Sequence, residues 1–557
     1  MKIEALRNAI GREHGVLALV LLAALVIVAR AWLVQVEQSP FLLKQAQVRH
    51  VRTMTLPAAR GVIYDRNGQV LALSTPVADV WVDPSQACGN LGALRPLAKL
   101  LHQDVRSLER RVGARCKGHF MYLKRQVLPD VADRVSRLKL PGVYVTPTWR
   151  RYYPQAEVDA HLIGFTNIDD VGQAGLEKVY DGWLRGTPGR IRVIKDLKGH
   201  VVDFHDTVHP VKPGRDMTLA LDQRIQYFTY RALKRAMIMH QARAAAAVVL
   251  DAHTGEILAM ASQPGYNPND RSQIRPSATR NHAVSDLIEP GSTIKPLVMA
   301  RALQEGKVAL DERIDTSPGR LRVDDRIVRD DHDKGVLTPE GIIQHSSNVG
   351  IARIALRMKP RDIWSLFHEL GFDRDSGLYL HGEAMGRLRT ADVWTPVEQA
   401  WAAFGYGFQI NLLQLARAYL VLANDGAMLP LSLFRLDQPP QPERQVLDPV
   451  AVRQVRMMME KVTEKGGTAP KAHIVGYSVA GKTGTVHKVG GDSYSLSRYR
   501  ALFAGIVPAD NPDMVMVVMV DEPSRGIYYG GEVAAPIFRE VMTQALRLRN
   551  VPPDRAE

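Results

Sequence analysis

Hydrophobic and polar positions follow three successive patterns along the chain. The first pattern is a continuous apolar run: Gly15 to Ala29 carries no charge, and after Arg30 the apolar character resumes from Ala31 to Val34. About 20 such residues suffice for a helix to cross a bilayer, with Arg30 reaching the interface along its own methylenes. From about Ser39 to Pro210 short β-type runs alternate with helical stretches. Val62–Tyr64 and Ala78–Val82 are two of these runs, and Asp-Arg-Asn-Gly at Asp65–Gly68 supplies a turn between them.

The pattern changes again near Lys212-Pro213-Gly214, where Thr218 to Asp222 leads into a helix. Ala245–Asp251 and Glu256–Ala261, joined through Thr254-Gly255, read as a β-hairpin. Three more runs, Tyr477–His487, Arg500–Val507 and Met514–Asp521, lie near the C-terminus, with mainly helical patterns in between. The prediction is an α/β (α+β) unit in which a five-stranded antiparallel sheet closes from both chain ends around a helical insert. A last helix, with Val533, Ile537, Val541 and Leu546 at helical spacing, covers one face.

Composition narrows the class. A chain of 557 residues with 46% hydrophobic and 23% charged residues can bury large cores, which excludes a disordered chain and a multi-span membrane protein. The net charge of +14 suits an anionic partner without naming one. A basic stretch with Arg106, Arg110, Arg111, Arg115, Lys117, Lys124 and Arg125 lacks any helix-turn-helix, zinc finger or aromatic-interleaved motif. It reads as a solvated face, with binding to an acidic polymer or partner as the alternative, and not as a nucleic-acid site. Cys88 and Cys116 are too few for a metal framework and read either as structural thiols or, outside the cytoplasm, as one disulfide. Lys2, Arg7 and Arg12 precede the apolar run, so a retained single-pass anchor puts the N-terminus in the cytoplasm and the rest outside. A cleaved signal peptide cut at Ala29-Arg30-Ala31 is the competing reading, disfavoured by Arg30 and bulky Trp32 around that site. The expected domains are a tail over 1–14, an anchor over 15–36, a mixed α/β unit over 37–210 and a second unit over 211–557.

Three motifs carry chemistry. Ser292-Thr293-Ile294-Lys295 follows Glu289-Pro290-Gly291, a helix-start signal, so a hydroxyl and an amine three residues apart share one face. Serine becomes a nucleophile when a base takes its proton, and a lysine can do so once burial or another cation lowers its pKa. Ser346-Ser347-Asn348 offers a relay hydroxyl and an amide, and is otherwise a cap or turn. Lys482-Thr483-Gly484-Thr485 falls on a predicted strand, with Lys482 and Gly484 on one side and the threonines on the other. Glycine there admits a close approach.

S-x-x-K, S-x-N and K-T-G in this order resemble the serine acyl-transferases of the penicillin-binding protein and β-lactamase superfamily. The resemblance covers nearly the whole chain. It includes Arg60 to Gly68, Arg151-Tyr152-Tyr153-Pro154, Gly175-Leu176-Glu177, Tyr180-Asp181, Phe404-Gly405-Tyr406-Gly407 and Tyr528-Tyr529-Gly530-Gly531. The sequence is similar to class B penicillin-binding proteins of the septal D,D-transpeptidase kind (FtsI type, penicillin-binding protein 3-like). That resemblance implies an elongated pedestal before the transpeptidase domain and cross-linking of peptidoglycan at the division septum, outside the inner membrane. It implies Ser292 as nucleophile, Lys295 as base, and Ser346 with Lys482 as proton relay. Asn348 would hold the donor amide, Thr483 and Thr485 its carboxylate, and the N–H groups of Ser292 and Thr485 the oxyanion. Gly484 would give the strand its close approach, and Tyr528 and Tyr529 an aromatic wall. The implied partners are a stem peptide ending in D-Ala-D-Ala as donor, a second stem peptide as amine acceptor, β-lactams as covalent inhibitors, and a membrane-embedded glycan polymerase with other division proteins. His487, Asn281-His282-Ala283 and Asn411 to Ala416 depart from the usual pattern.

No cofactor motif is present in the sequence, and Asp330-Asp331-His332-Asp333 reads as a charged loop in preference to a metal site. Gly405 and Gly407 lack the spacing of a phosphate-binding loop. Two other functions fit the motifs: a D,D-carboxypeptidase or β-lactamase that admits water to the acyl-enzyme, and a non-catalytic scaffold or β-lactam sensor.

Overall fold

The computed structural model describes residues 2–41, 51–195, 201–490 and 493–556. Helix α1 (Lys2–Trp32) passes into one π-type turn, Leu33–Glu37. Its segment His14–Glu37 is long and apolar enough to cross a membrane, and none of it is buried by protein. The helix starts well before Gly15, because nothing between Lys2 and His14 breaks it.

The chain divides into two compact units. One comprises Met1–Ala59, Pro76–Trp149 and Gly186–Pro213. Within it Val51–Leu56, Gly189–Lys195 and Val201–His209 form a three-stranded antiparallel sheet. A separate core of Val80, Leu94, Leu97, Leu108 and Val112 lies under the helix Val105–Gly113, whose N-terminus is capped by the Asp104 side chain on Ser107 N–H. Cys88 and Cys116 are joined as a disulfide. Arg106, Arg110, Arg111, Arg115, Lys117 and Lys124 are exposed, as a solvated face requires.

The other unit comprises Arg60–Thr75, Arg150–Arg185 and Gly214–Glu557. Its two early segments are tied together by a buried ion cluster. Glu177, fully buried, accepts from Arg60 Nε at 2.5 Å and from Arg151 Nε at 2.6 Å, and Arg60 also reaches Asp181 at 2.7 Å. The Asp65–Gly68 turn forms as predicted, with Gly68 N–H on Asp65 O at 3.1 Å and Gly68 at φ +80°.

The central sheet contains β1 (Ala244–Asp251), β2 (Ile257–Gln263), β3 (Ala480–Gly490), β4 (Ser493–Val507) and β5 (Met514–Asp521), in the order β2-β1-β5-β4-β3, with all neighbours antiparallel. Every residue of β1, β2 and β5 is buried, so these strands read as unbroken apolar runs with no alternation. The relevant helices are α2 (Gln223–His240), α3 (Lys295–Gln304), α4 (Asn348–Ala355), α5 (Leu412–Ala423) and α6 (Ala535–Leu548). Asp222 caps α2 and Asn411 caps α5, all twelve residues of which are buried. The predicted run from Tyr477 becomes strand only at Ala480. Ser478 N–H and hydroxyl are both taken by the Asp554 carboxylate, the former at 2.8 Å, which draws that backbone away from the sheet.

Candidate active site

Ser292 lies in a 3-10 turn, Gly291–Ile294, that feeds directly into α3. Lys295 N–H bonds back to Ser292 O. In this geometry residues i and i+3 eclipse, so the serine and lysine side chains stand one above the other. The turn is held from outside: Gly291 N–H donates to Gly405 O at 3.0 Å, Gly407 N–H to Glu289 Oε1 at 2.9 Å, and Tyr419 OH to Thr293 O at 2.8 Å. A Cβ on Gly405, at φ +87°, would lie 2.1 Å from Gly291 O. The Phe404 to Gly407 motif is therefore a brace for the Ser292 turn.

Lys295 is completely buried. Its Nζ lies 2.7 Å from Ser346 O, 2.7 Å from Asn348 Oδ1 and 3.2 Å from Ser346 Oγ. The first two are acceptors only, so they use both hydrogens of a neutral amine and leave its lone pair for a hydroxyl. Asn348 Nδ2 donates to Arg329 O at 2.9 Å, which fixes Oδ1 toward the lysine. Ser346 has φ +57°, a left-handed conformation rare for serine, in the same residue whose carbonyl receives the lysine.

The Ser-Ser-Asn segment is also a helix cap. Ser347 Oγ accepts from Gly350 N–H at 2.9 Å, and the Asp330 carboxylate takes Ser347 Oγ–H at 2.6 Å with the N–H groups of Asn348 and Val349. Asp330 thus organises the N-terminus of α4, a task invisible in a sequence where it lies amid other acids.

Lys482 is fully buried on β3. A Cβ at Gly484 would meet Thr293 Cγ2 at 3.0 Å, so the missing side chain lets β3 press against the Ser292 turn. Thr483 Oγ1 and Thr468 Oγ1 share a hydrogen bond of 3.0 Å, and Gly530 N–H donates to Thr485 Oγ1 at 3.0 Å.

Burial drives Lys295 well below the ordinary lysine range, and the neighbouring Lys482 pushes it further, against the opposing charge of Asp330. Burial, with help from Lys334, lowers Lys482 to about 7. Lys334 is held by His345 O at 2.6 Å and Asp331 at 2.8 Å. Protonation removes the lone pair a base needs, so acylation is expected to fall as pH drops through an apparent pKa below the ordinary 10.5 for lysine. Lys334→Met, which removes a cation that lowers Lys295, is expected to move that midpoint up. A pH–rate profile with fluorescent penicillin reads both, and an unmoved midpoint would contradict the electrostatic account.

Ser292, Ser346, Asn348, Thr483, Thr485, Tyr528 and Tyr529 all line one cleft of about 630 Å³, with Lys295 and Lys482 buried beneath it. Tyr528 stacks on Tyr499 at 4.0 Å and on Tyr529 at 4.6 Å, forming an aromatic side to the cleft. Sequence reasoning did not single out Thr468, Tyr406, Lys334 or Tyr499 as lining residues. Tyr406 lies in the Phe404 to Gly407 motif without any sign there that it lines a cleft, and the other three lie in no short motif and arrive by tertiary folding.

A serine eclipsed over a desolvated lysine, capped by Ser-x-Asn and faced by a Lys-Thr-Gly strand, defines a serine acyl-transferase centre. Residues 245–543 match the penicillin binding protein transpeptidase domain and residues 55–219 the penicillin-binding protein dimerisation domain. The chain belongs to the class B penicillin-binding proteins, the family of peptidoglycan D,D-transpeptidases. It is 40% identical to the peptidoglycan D,D-transpeptidase FtsI of Escherichia coli strain K12 over 541 residues, covering 96% of this chain and 91% of that protein. It is 37% identical over 542 residues to the probable peptidoglycan D,D-transpeptidase PbpC of Pseudomonas aeruginosa, covering 97% and 96% of the two chains. The crystal structure of a peptidoglycan synthetase from Bifidobacterium adolescentis superposes with a TM-score of 0.72 at 26% identity, covering 91% of this chain and 98% of that one.

Proposed function

We propose that this protein cross-links peptidoglycan at the division septum by way of an acyl-enzyme on Ser292. Ser292 Oγ attacks the penultimate carbonyl of a stem peptide ending in D-Ala-D-Ala, and Lys295 takes its proton. Ser346 and Lys482 pass a proton to the departing D-Ala. Thr483 and Thr485 hold the donor carboxylate, and the second N–H of Asn348 Nδ2 holds the donor amide. The N–H groups of Ser292 and Thr485 hold the oxyanion, where one fixed donor is worth roughly 3–4 kcal/mol. Tyr528 and Tyr529 flank the donor. The observation that carries this reading is the desolvated Lys295 amine, eclipsed with Ser292 and with its two hydrogens committed to Ser346 O and Asn348 Oδ1.

In this reading residues 1–14 are cytoplasmic, 15–36 span the inner membrane, 37–210 form the pedestal and 211–557 the periplasmic transpeptidase domain. The Cys88–Cys116 disulfide supports an oxidising compartment outside the cytoplasm. A membrane-embedded glycan polymerase and division proteins are the proposed partners. Intact-mass spectrometry of the full chain after exposure to a β-lactam is expected to show one long-lived adduct, mapping to the peptide that contains Ser292. An adduct on another residue would refute the nucleophile assignment, and one that hydrolyses within seconds would favour a hydrolase.

A further inference from the structure

In the unit that contains Pro76–Trp149, residues 76–82, 121–127 and 143–149 lie in one sheet, with Trp81 opposite Tyr122. Side chains alternate across a strand, so Val80, Val82, Met121, Leu123 and Val145 face the core and leave Trp81, Tyr122 and Tyr144 on the other side. There Tyr144 stacks on Trp81 at 4.4 Å, Trp81 meets Phe120 at 5.1 Å, and Phe120 meets Tyr122 edge-on at 4.7 Å, a continuous row of four rings. Phe120 and Tyr122 remain 53% and 41% exposed. The row ends at a cleft of about 560 Å³ lined by these two rings and by Arg111 and Arg115, with no acidic residue in its lining among the described residues. We propose that this row and cleft bind the glycan strand of peptidoglycan outside the catalytic unit, sugar rings lying on the aromatic faces and stem-peptide carboxylates in the forks of Arg111 and Arg115. This rests on the transpeptidase reading above, which makes that polymer the substrate.

Charge selects an anion. Among the described residues neither Arg111 nor Arg115 has a carboxylate partner, and Arg111 spends one N–H on Tyr122 O at 3.4 Å. The helix dipole favours a cation at Arg111, in the last turn, but Arg115 lies two residues past Gly113 and gains little from it. Two guanidiniums lining one cleft repel each other until an anion joins them, and the planar fork of each matches a carboxylate. Arg125, by contrast, is committed to Asp79 at 3.0 Å and lies over the Tyr122 ring at 4.7 Å, which holds that ring in place.

Shape selects the sugar. Trp81 Nε1–H donates to Thr146 Oγ1 at 2.9 Å and Tyr144 OH to Gln86 Oε1 at 3.2 Å, so these two rings offer faces and no free polar hydrogen. A ring face is electron-rich and suits the weakly positive C–H face of a sugar. A protein partner centres on a desolvated pocket for a side-chain anchor, whereas this row lies open along the sheet. The turn over 113–118 that carries Arg115 is fastened to Cys88 through Cys116, so the cleft is ordered before a ligand arrives. A strand repeats the same sugar and carboxylate many times, so a weak site gains by repetition and keeps stem peptides at the enzyme.

The test uses the full-length protein in detergent with Ser292 first blocked by penicillin, at about 0.15 M salt so that distant charges are screened. Anisotropy reads the binding of fluorescent uncross-linked glycan strands with their stems, of neutral chitin oligosaccharides as the sugar-only probe, and of polyglutamate as the carboxylate-only probe. Phe120→Ala is expected to weaken strands and chitin oligosaccharides about fivefold or more. Arg111→Glu with Arg115→Glu should weaken strands about tenfold or more and leave chitin oligosaccharides nearly unchanged, as for loss of charge-assisted contacts, and the corresponding pair of lysines should retain most of the binding. Arg134→Glu with Arg137→Glu makes the same charge change on a helix outside the cleft and should have little effect. The rate of penicillin acylation should stay at the wild-type value in every variant. Strand binding unchanged in Phe120→Ala or in the Arg111 and Arg115 reversal overturns the proposal, as does an equal fall in the Arg134 and Arg137 reversal. Polyglutamate bound as tightly as strands also overturns it, since the site would then be an anion exchanger. Variants that bind strands normally but lose a protein captured by the wild type would give the surface to a protein partner instead. Each of these failures leaves the transpeptidase reading standing, whereas a wild-type protein that never takes penicillin overturns both.

Discussion

Lys295→Arg and Lys295→Met are each expected to slow penicillin acylation of Ser292 by about 10²–10⁴-fold, the usual contribution of a positioned general base, and Ser292→Ala to abolish the covalent adduct. The reasoning begins with burial. Lys295 has no solvent contact, and the charge of Lys482, buried with it, adds to the cost of burial, so the charged form of Lys295 is disfavoured twice. A guanidinium keeps its charge under all accessible conditions and cannot accept the serine proton. Methionine fills similar volume with no lone pair of useful basicity. The two variants fail for different reasons but give the same kinetic result. Lys295→Met removes the cost of burying an amine but leaves Ser346 O and Asn348 Oδ1 without their donor, so urea unfolding is measured beside it and the rate is compared for folded protein. Stopped-flow acylation by a fluorescent penicillin measures the rate. Wild-type acylation by Lys295→Met would mean that another group takes the proton, and Lys482, held at about 7 directly beneath the same cleft, would be the first to test.

The difference between what the sequence announces and what folding adds is visible residue by residue. Strands β1, β2 and β5 were legible because burial on both faces turns a strand into an unbroken apolar run, as in Met514–Asp521. The start of β3 was not, because Tyr477 and Ser478 look like strand but are claimed by groups more than 70 residues away, Val551 O and the Asp554 carboxylate. The three motifs were legible because each packs its chemistry into three or four consecutive residues. What orders them was not. Asp330 caps α4 from 18 residues away, Gly405 braces the Ser292 turn from beyond α4, and Glu289 reaches Gly407 over a separation of 118 residues. Local spacing carries no trace of such pairings, and glycines at Gly405 and Gly484 acquire meaning only when the neighbouring backbone is in place.

The same applies to Arg60, Arg151 and Glu177, which in sequence are three scattered charges. Glu177→Gln is expected to destabilise the C-terminal unit by about 3–5 kcal/mol, the typical cost of removing one member of a buried ionic cluster. Both carboxylate oxygens are committed, one to each arginine, and Arg151 also donates to Gly61 O at 2.7 Å while Arg60 donates to Glu177 O at 2.7 Å. A neutral amide offers one acceptor and places an N–H against the other guanidinium, leaving two cations in a space with no water to screen them. The loss falls on stability alone, since none of the three lines the donor cleft. Urea unfolding should therefore shift to lower denaturant, while penicillin acylation of the folded fraction at low temperature keeps its wild-type rate. The decisive comparison is the triple variant Arg60→Met, Glu177→Leu, Arg151→Met. It removes both arginines and the buried carboxylate between them at once, leaving only the partly exposed Asp181, which keeps Arg185 as a partner, and it should be more stable than Glu177→Gln even though it deletes three times as many polar groups. If the triple variant is the less stable of the two, the arginines matter mainly through their bonds to Gly61 O and Glu177 O. The cluster would then be a backbone clamp in which the carboxylate plays the lesser part.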